Sequence, residues 1–367
     1  MKWCTQCLMP DTRPRITFNK AGVCNACQWA EEKKEKVDWK ARWKELERYC
    51  KKYRSKNGNF DVIAPVSGGK DSSYVAYKLK HELGMHPLTV SIVPPLTFDI
   101  GDENLTNFIA HGYDCLKIYP NPYVTQKISR QAFIDFGQPL MSWITNVQVA
   151  IIKIAMKFDI PFVMFGEEGE TEYGGSNYLK NRPFYDLKHS LKIYTSNNNP
   201  KQYIGEFSKK ELYWWLYPTV AEFKRAHLAI SHWSYFENWD PYEHYLLAKD
   251  KFDLKEKTEP SLGTYTNFAQ TDTCLFDLHC YLMYLKFGFG RCSADASIDI
   301  RRGALDREQA IEMVKRFDNA YPEPYIALYL EYFDMTKQEF DQVLDRHANK
   351  KLFTKVKGRW MSKFIVK

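Results

Sequence analysis

A strand-like run, Val62-Ile63-Ala64-Pro65-Val66, leads directly into Ser67-Gly68-Gly69-Lys70-Asp71-Ser72-Ser73, after which a helical pattern begins. Two adjacent glycines let the backbone approach an anion closely and present successive N–H groups to it. Ser67, Ser72 and Ser73 add hydroxyls, Lys70 adds a point charge, and a helix start contributes the positive end of its dipole. The segment suits a polyphosphate. Its spacing is not Gly-x-x-x-x-Gly-Lys-[Ser/Thr], the loop that holds β- and γ-phosphates, so γ-transfer is disfavoured.

Two further segments carry chemistry-bearing side chains. Glu167, Glu168 and Glu170 follow an apolar run, with Tyr173-Gly174-Gly175 just beyond. Carboxylates beside a phosphate loop repel a nucleotide unless a cation intervenes. Mg²⁺ shared between carboxylate and phosphate resolves that conflict, with Asp71 as a further metal-side oxygen. A carboxylate here could instead orient ammonia or take its proton; a solvated acidic loop is the bland alternative. Later, Phe287-Gly288-Phe289-Gly290-Arg291 leads into Asp295, Asp299, Arg301 and Arg302. Arginines suit a phosphate or a sugar carboxylate through their planar fork, and Asp295 suits sugar hydroxyls or a metal. Surface salt bridging competes with both.

Four of the nine cysteines form Cys4-x-x-Cys7 and Cys24-x-x-Cys27. Two such pairs can complete a tetrahedron around one ion, and the spacing fits a structural zinc ribbon. An iron–sulfur cluster also uses four thiolates; two disulfides are disfavoured in a cytosolic chain. Cys50, Cys115, Cys274, Cys280 and Cys292 have no comparable partner and read as buried small side chains.

The elements that must position these groups follow from periodicity. Trp39, Trp43, Leu46, Cys50 and Tyr53 recur at helical steps and mark one amphipathic helix. It is expected to pack the ribbon against the next domain. From Val62 the pattern alternates: strands near 62–66, 88–93, 115–119 and 160–165, with helices after the first, at 104–110 and along 140–158. Repeated βα units imply a parallel sheet, with ligands at the carboxyl ends of its strands. The loops at 67–73 and 167–170 should therefore face one crevice. Residues 174–260 are irregular and rich in Tyr and Trp; the remainder returns to helices.

Composition narrows the class. Hydrophobic residues make up 44% of the 367, enough for a sizeable core. No run approaches the roughly 20 apolar residues of a membrane span. The start lacks a signal peptide's apolar stretch, so a cytoplasmic location is expected. A net charge of +7 suits anionic substrates without choosing among them.

The loop resembles that of the PP-loop ATP pyrophosphatases, which grip the pyrophosphate portion of ATP while a substrate oxygen attacks the α-phosphorus. Over most of its length the chain further resembles the N-acetyl sugar amidotransferases of bacterial surface-glycan pathways. The similarity runs through Cys4-x-x-Cys7-Leu8-Met9-Pro10-Asp11-Thr12-Arg13-Pro14, Ser67–Ser73, Gly166-Glu167-x-Gly169-Glu170 with Tyr173-Gly174-Gly175, and Phe287–Arg302.

The resemblance implies an adenine nucleotide alpha-hydrolase-like α/β fold and four regions: a zinc ribbon (1–33), a linker helix (34–58), an ATP-binding α/β domain (59–175), and a substrate-binding insertion with a helical carboxyl-terminal region (176–367). It implies ATP, Mg²⁺ and Zn²⁺. ATP would be held by Val66, Ser67, Gly68, Gly69, Lys70, Asp71, Ser72, Ser73 and Ser91, with Lys70, Asp71, Glu167 and Glu170 catalytic. The sugar would meet Glu168, Tyr173, Gly174, Arg291, Asp295 and Arg301, and the metal Cys4, Cys7, Cys24 and Cys27. The substrate is expected to be an N-acetylated, nucleotide-linked sugar. Its ammonia is expected from a separate glutaminase, similar to the ammonia-producing partner in imidazole glycerol phosphate synthase, since no glutaminase segment is evident. No membrane or nucleic-acid partner is expected. The alternative is a PP-loop tRNA-thiolating enzyme, which needs reactive or cluster-binding cysteines near the crevice and a basic stripe.

Overall fold

A computed structural model describes residues 1–196 and 198–367. Six short strands form its central sheet: β1 (Val62–Pro65), β2 (Pro87–Ile92), β3 (Cys115–Ile118), β4 (Phe162–Phe165), β5 (Phe184–Tyr185) and β6 (Ala229–His232). Their order is β3-β2-β1-β4-β6-β5, parallel throughout except where β5 runs antiparallel to β6. The chain moves outward from β1 to β3 and then returns to place β4 on the other flank of β1. That reversal opens a crevice at the carboxyl ends of β1 and β4, where open parallel sheets bind ligands.

Alternation along the strands sends successive side chains to opposite faces. Val62, Ala64, Phe162 and Met164 enter one core layer, and Ile63, Leu88, Val90 and Val163 enter the other. α1 (Asn25–Glu35) runs out of the cysteine ribbon, and three helices then meet the first layer: α2 (Trp39–Tyr53), α3 (Lys70–Tyr77) and α4 (Asp99–Ala110). α2 inserts Leu46 and Cys50 into this core, so it covers the sheet and is more than a bridge from the ribbon. α5 (Pro122–Phe136) and α6 (Met141–Lys157) come next, and α6 covers the second layer with Ile151, Ile152 and Ile154.

α7 (Gly169–Tyr173), α8 (Leu187–Ile193), α9 (Val220–Arg225) and α10 (Pro241–Phe252) carry the irregular middle. α11 (Leu275–Phe287), α12 (Arg291–Arg302), α13 (Arg307–Phe317), α14 (Ile326–Phe333) and α15 (Lys337–His347), with the hairpin β7 (Phe353–Val356) and β8 (Arg359–Ser362), form the carboxyl-terminal part. Phe133 of α5 stacks on Phe333 there, at 4.8 Å between ring centres. Among the described residues no helix is long and apolar enough to cross a membrane.

The expected α/β architecture is present, with two corrections. A boundary at residue 175 cuts through the sheet, because β6 pairs with β4 along Phe162–Phe165. A four-residue strand buried on both sides shows no alternation to distinguish it from the aromatic stretch around it. The second correction is α5, which the periodicity reading passed over. Asn121 caps it by accepting from Tyr123 N and Val124 N, Pro122 starts it, and Gly137 ends it in the left-handed region at φ 57°.

Candidate active site

The loop at 67–73 is shaped by crowding. Gly68 has φ +81°, and a Cβ there would lie 2.3 Å from Leu105 N, so only glycine fits. Gly69 caps α3 without a side-chain bond to the helix amides. Ser72 Oγ accepts from Ser67 N and donates to Gly69 O, both at 3.2 Å, closing the turn on itself. Lys70 pairs with Asp71, whose other oxygen lies 2.8 Å from His244 Nδ1. Burial works against the Asp71 charge, but Lys70 and His244 outweigh it and hold its pKa below the usual carboxylate range.

This loop lines a cavity of about 310 Å³ together with Glu167, Tyr173, Asp272 and Arg291. Burial, and then the neighbouring Asp71, raises the Glu167 pKa. Burial also lifts Asp272 to about 6. The expected meeting of the loops after β1 and β4 is therefore present. Not every expected nucleotide residue reaches the cavity, however. Val66 N donates to Val90 O at 2.9 Å, Ser91 is buried within β2, and Ser73 Oγ is sealed without a partner. None of these three lines the cavity, and neither does Gly68.

The three glutamates do different work. Glu167 faces the loop. Glu168 caps α7, its Oε2 accepting from Thr171 N at 2.8 Å and from the Thr171 hydroxyl; burial raises it to about 7. Glu170 turns to the ribbon: both its oxygens take bonds from Arg15 at 2.6 Å, and Ser176 N donates to it at 2.8 Å. The expected catalytic role of Glu170 and sugar-binding role of Glu168 are corrected accordingly. A five-residue helix with a left-handed cap at Gly174 rotates neighbouring carboxylates to different sides. Gly174 itself packs on Ala26 and Ile16, away from the cavity.

A second cavity of about 340 Å³ adjoins the first and shares Lys70, Tyr173 and Arg291 with it. Its wall is one face of α12, where Arg291, Asp295, Ile298, Asp299 and Arg302 recur at helical spacing. Arg291 Nε bonds Asp295 at 2.9 Å, Thr264 donates to Asp295 at 2.7 Å, and Arg302 Nε bonds Asp299 at 2.6 Å. Tyr242, Tyr265 and Phe268 supply rings opposite. Arg301 is the correction here: one step from Arg302, it points to the ribbon and donates to Glu172 O at 2.9 Å. His244, Asp272, Tyr242 and Tyr265 are site residues that sequence reasoning missed. Asp240-Pro241 does announce the α10 start that carries two of them.

The four ribbon cysteines are buried, and their sulfurs lie within 4.8 Å of one another. Cys4–Cys27 and Cys7–Cys24 are 3.9 and 3.6 Å apart. Metal–sulfur bonds of ~2.3 Å in a tetrahedron require about 3.8 Å, so the donor set fits one ion. Backbone N–H groups of Cys7 and Cys24 point at Cys4 Sγ at 3.5 and 3.2 Å, as suits a thiolate.

Residues 262–365 match a family model described as LPS biosynthesis protein WbpG-like, C-terminal domain. The matched segment takes in the whole of α12 and with it that wall of the second cavity. The match bears out the surface-glycan resemblance read from the sequence. No curated protein matches the chain. Among solved structures, the U34-tRNA thiolase NcsA from Methanococcus maripaludis with its [4Fe-4S] cluster is similar over 72% of this chain and 79% of its own. The identity is 12% and the TM-score 0.31.

Proposed function

We propose that the chain is an ATP-dependent amidotransferase that converts the acetamido group of a nucleotide-linked surface-glycan sugar to an acetamidino group. The observation that carries this reading is the shared boundary of the two cavities. Lys70, Tyr173 and Arg291 line both, so a triphosphate on the Ser67–Ser72 side meets a sugar on the α12 side at one seam.

At that seam the acetamido oxygen attacks the α-phosphorus. A new O–P bond forms, the bond from the α-phosphorus to the bridging oxygen breaks, and pyrophosphate leaves into the loop. Lys70 and the loop amides stabilise the charge it gains. Glu167, made more basic by burial and by Asp71, accepts the acetamido N–H proton, giving an O-adenylyl imidate. Ammonia then adds to the imidate carbon; the C–O bond breaks, and AMP departs with that oxygen. His244 fixes the Asp71 carboxylate throughout. Asp71 and Asp272 would hold Mg²⁺, which would neutralise charge on the leaving pyrophosphate. The four cysteines would hold zinc in a closed, structural site.

Ammonia is supplied in this reading by a separate glutaminase, and the reaction takes place in the cytoplasm. The thiolation alternative gains no support from the crevice: among the described residues, neither cavity is lined by a cysteine. The test is incubation with ATP, Mg²⁺, ammonium and a panel of nucleotide-linked N-acetyl sugars. AMP and a sugar whose amide oxygen is replaced by NH are expected. AMP formation independent of every N-acetyl sugar, or turnover on glutamine by the pure chain with ammonia excluded, would contradict the reading.

A further inference from the structure

The ribbon touches both walls of the substrate cavity. Toward α7, Arg15 clamps Glu170, Asn25 Nδ2 donates to Gly175 O at 2.6 Å, and Lys33 Nζ pairs with Glu172 at 2.7 Å. Toward α12, Leu8 N donates to Ser297 Oγ at 3.2 Å. Arg301 ties α12 to α7. It leaves α12 to one side of the cavity-lining face, and its Nη2 donates to Glu172 O in α7. Its Nη1 is sealed from solvent with no hydrogen-bond partner among the described residues.

The ribbon lies beside it: Ser297, one helical turn before Arg301, bonds Leu8 N next to Cys7, and Ile300 packs against the four-cysteine cluster. Burial disfavours the Arg301 charge, but Cys7, Cys27 and Cys24, and then Glu172, more than offset it. Four thiolates around one divalent ion leave two negative charges, and a buried charge of that size needs a counter-charge beside it. The guanidinium supplies one and hands the constraint on to Glu172 and α12.

We infer that the four-cysteine ribbon is a structural part of the active-site wall, and that Arg301 is the positioning residue coupling the metal–thiolate charge to the placement of α7 and α12. The ribbon thereby sets the distance between Tyr173 on one wall and Arg291 and Asp295 on the other. The catalytic consequence rests on the amidotransferase reading above; the coupling itself does not.

The test compares Arg301→Met and Arg301→Lys with the wild type, each as the full, metal-loaded chain, by hydrogen exchange across 169–175 and 291–302 and by metal content. Arg301→Met should speed exchange in both segments, and Arg301→Lys, which keeps the charge, should restore part of the protection. In turnover, the sugar KM of Arg301→Met should rise about tenfold or more, the low end for partners outside a metal's ligand set, with the ATP KM little changed. Should Arg301→Met not fold, chelator-stripped wild type and Arg15→Ala give the same exchange readout. Unchanged exchange in both segments overturns the inference, as does an equal rise in the KM for ATP and sugar. If the wild type shows no amidotransfer at all, the functional reading fails while the exchange result still decides the coupling.

Discussion

The loops that follow β1 and β4 leave the same edge of one sheet, yet they are held in opposite ways. The loop at 67–73 is largely self-contained: Ser67, Gly69 and Ser72 bond one another, and Gly68 gains its fit from the adjacent α4. The segment at 166–175 is fixed by partners far away in sequence. Arg15, Asn25 and Lys33 reach it from the amino terminus, and Arg301 from α12. A phosphate cradle needs only backbone amides in a tight turn, which a few residues can specify. The segment at 166–175 must be braced from outside, because a five-residue helix has too few bonds of its own to hold carboxylates in place.

This contrast can be broken most sharply at Lys70. Lys70→Ala should reduce AMP formation by about 10²–10³-fold, the cost of losing one preorganised charge-stabilising group, with circular dichroism retained. A variant that also lost its fold would show that the phosphate loop is no more autonomous than its neighbour.

Arg15→Ala probes the braced segment. It leaves Glu170, at 9% side-chain exposure, without its partner; because Arg15 is 43% exposed, the cost should be about 1–2 kcal/mol, below that of a fully buried pair. Denaturant unfolding measures it, and Glu170→Gln in the same chain should recover part of the loss. An effect on ATP binding as large as that on sugar binding would blur the distinction.

His244→Gln should raise the ATP KM roughly tenfold by removing a bond to a charged Asp71, leaving the sugar KM nearly unchanged. A matched rise in both would join the two sites that the cavities separate.

The smallest effect concerns pH. The buried Glu168 carboxyl titrates at about 7 when folded, against an ordinary 4.5. The folded state therefore retains a proton that the unfolded chain has lost, and stability falls as pH rises through that window. Glu168→Gln should flatten the fall and gain on the order of 1 kcal/mol relative to wild type at pH 8 over pH 5. Parallel urea titrations at the two values check the sign.

Legibility in the sequence tracks the same division. The glycine loop, the four-cysteine set and the Arg291–Asp295 stretch could be located directly, because each is a short segment whose residue types stand out from their surroundings. The roles of Glu168, Glu170 and Arg301 could not be read. Each lies within three positions of a residue that does face a cavity, and only the local rotation of α7 or α12 separates them. His244 and Asp272 carried no spacing signal, since their partners Asp71 and the loop are about two hundred residues distant.

By itself the sequence determined a glycine loop at a strand–helix turn, a four-cysteine set spaced to converge and an alternating α/β order, because glycine crowding, thiolate spacing and strand periodicity act over a few residues. Only the tertiary structure decided that the sheet continues through β6, that Glu170 and Arg301 belong to the ribbon, and that two cavities meet at Lys70, Tyr173 and Arg291. Those outcomes depend on which faces are buried against which, and burial is settled when distant segments pack together.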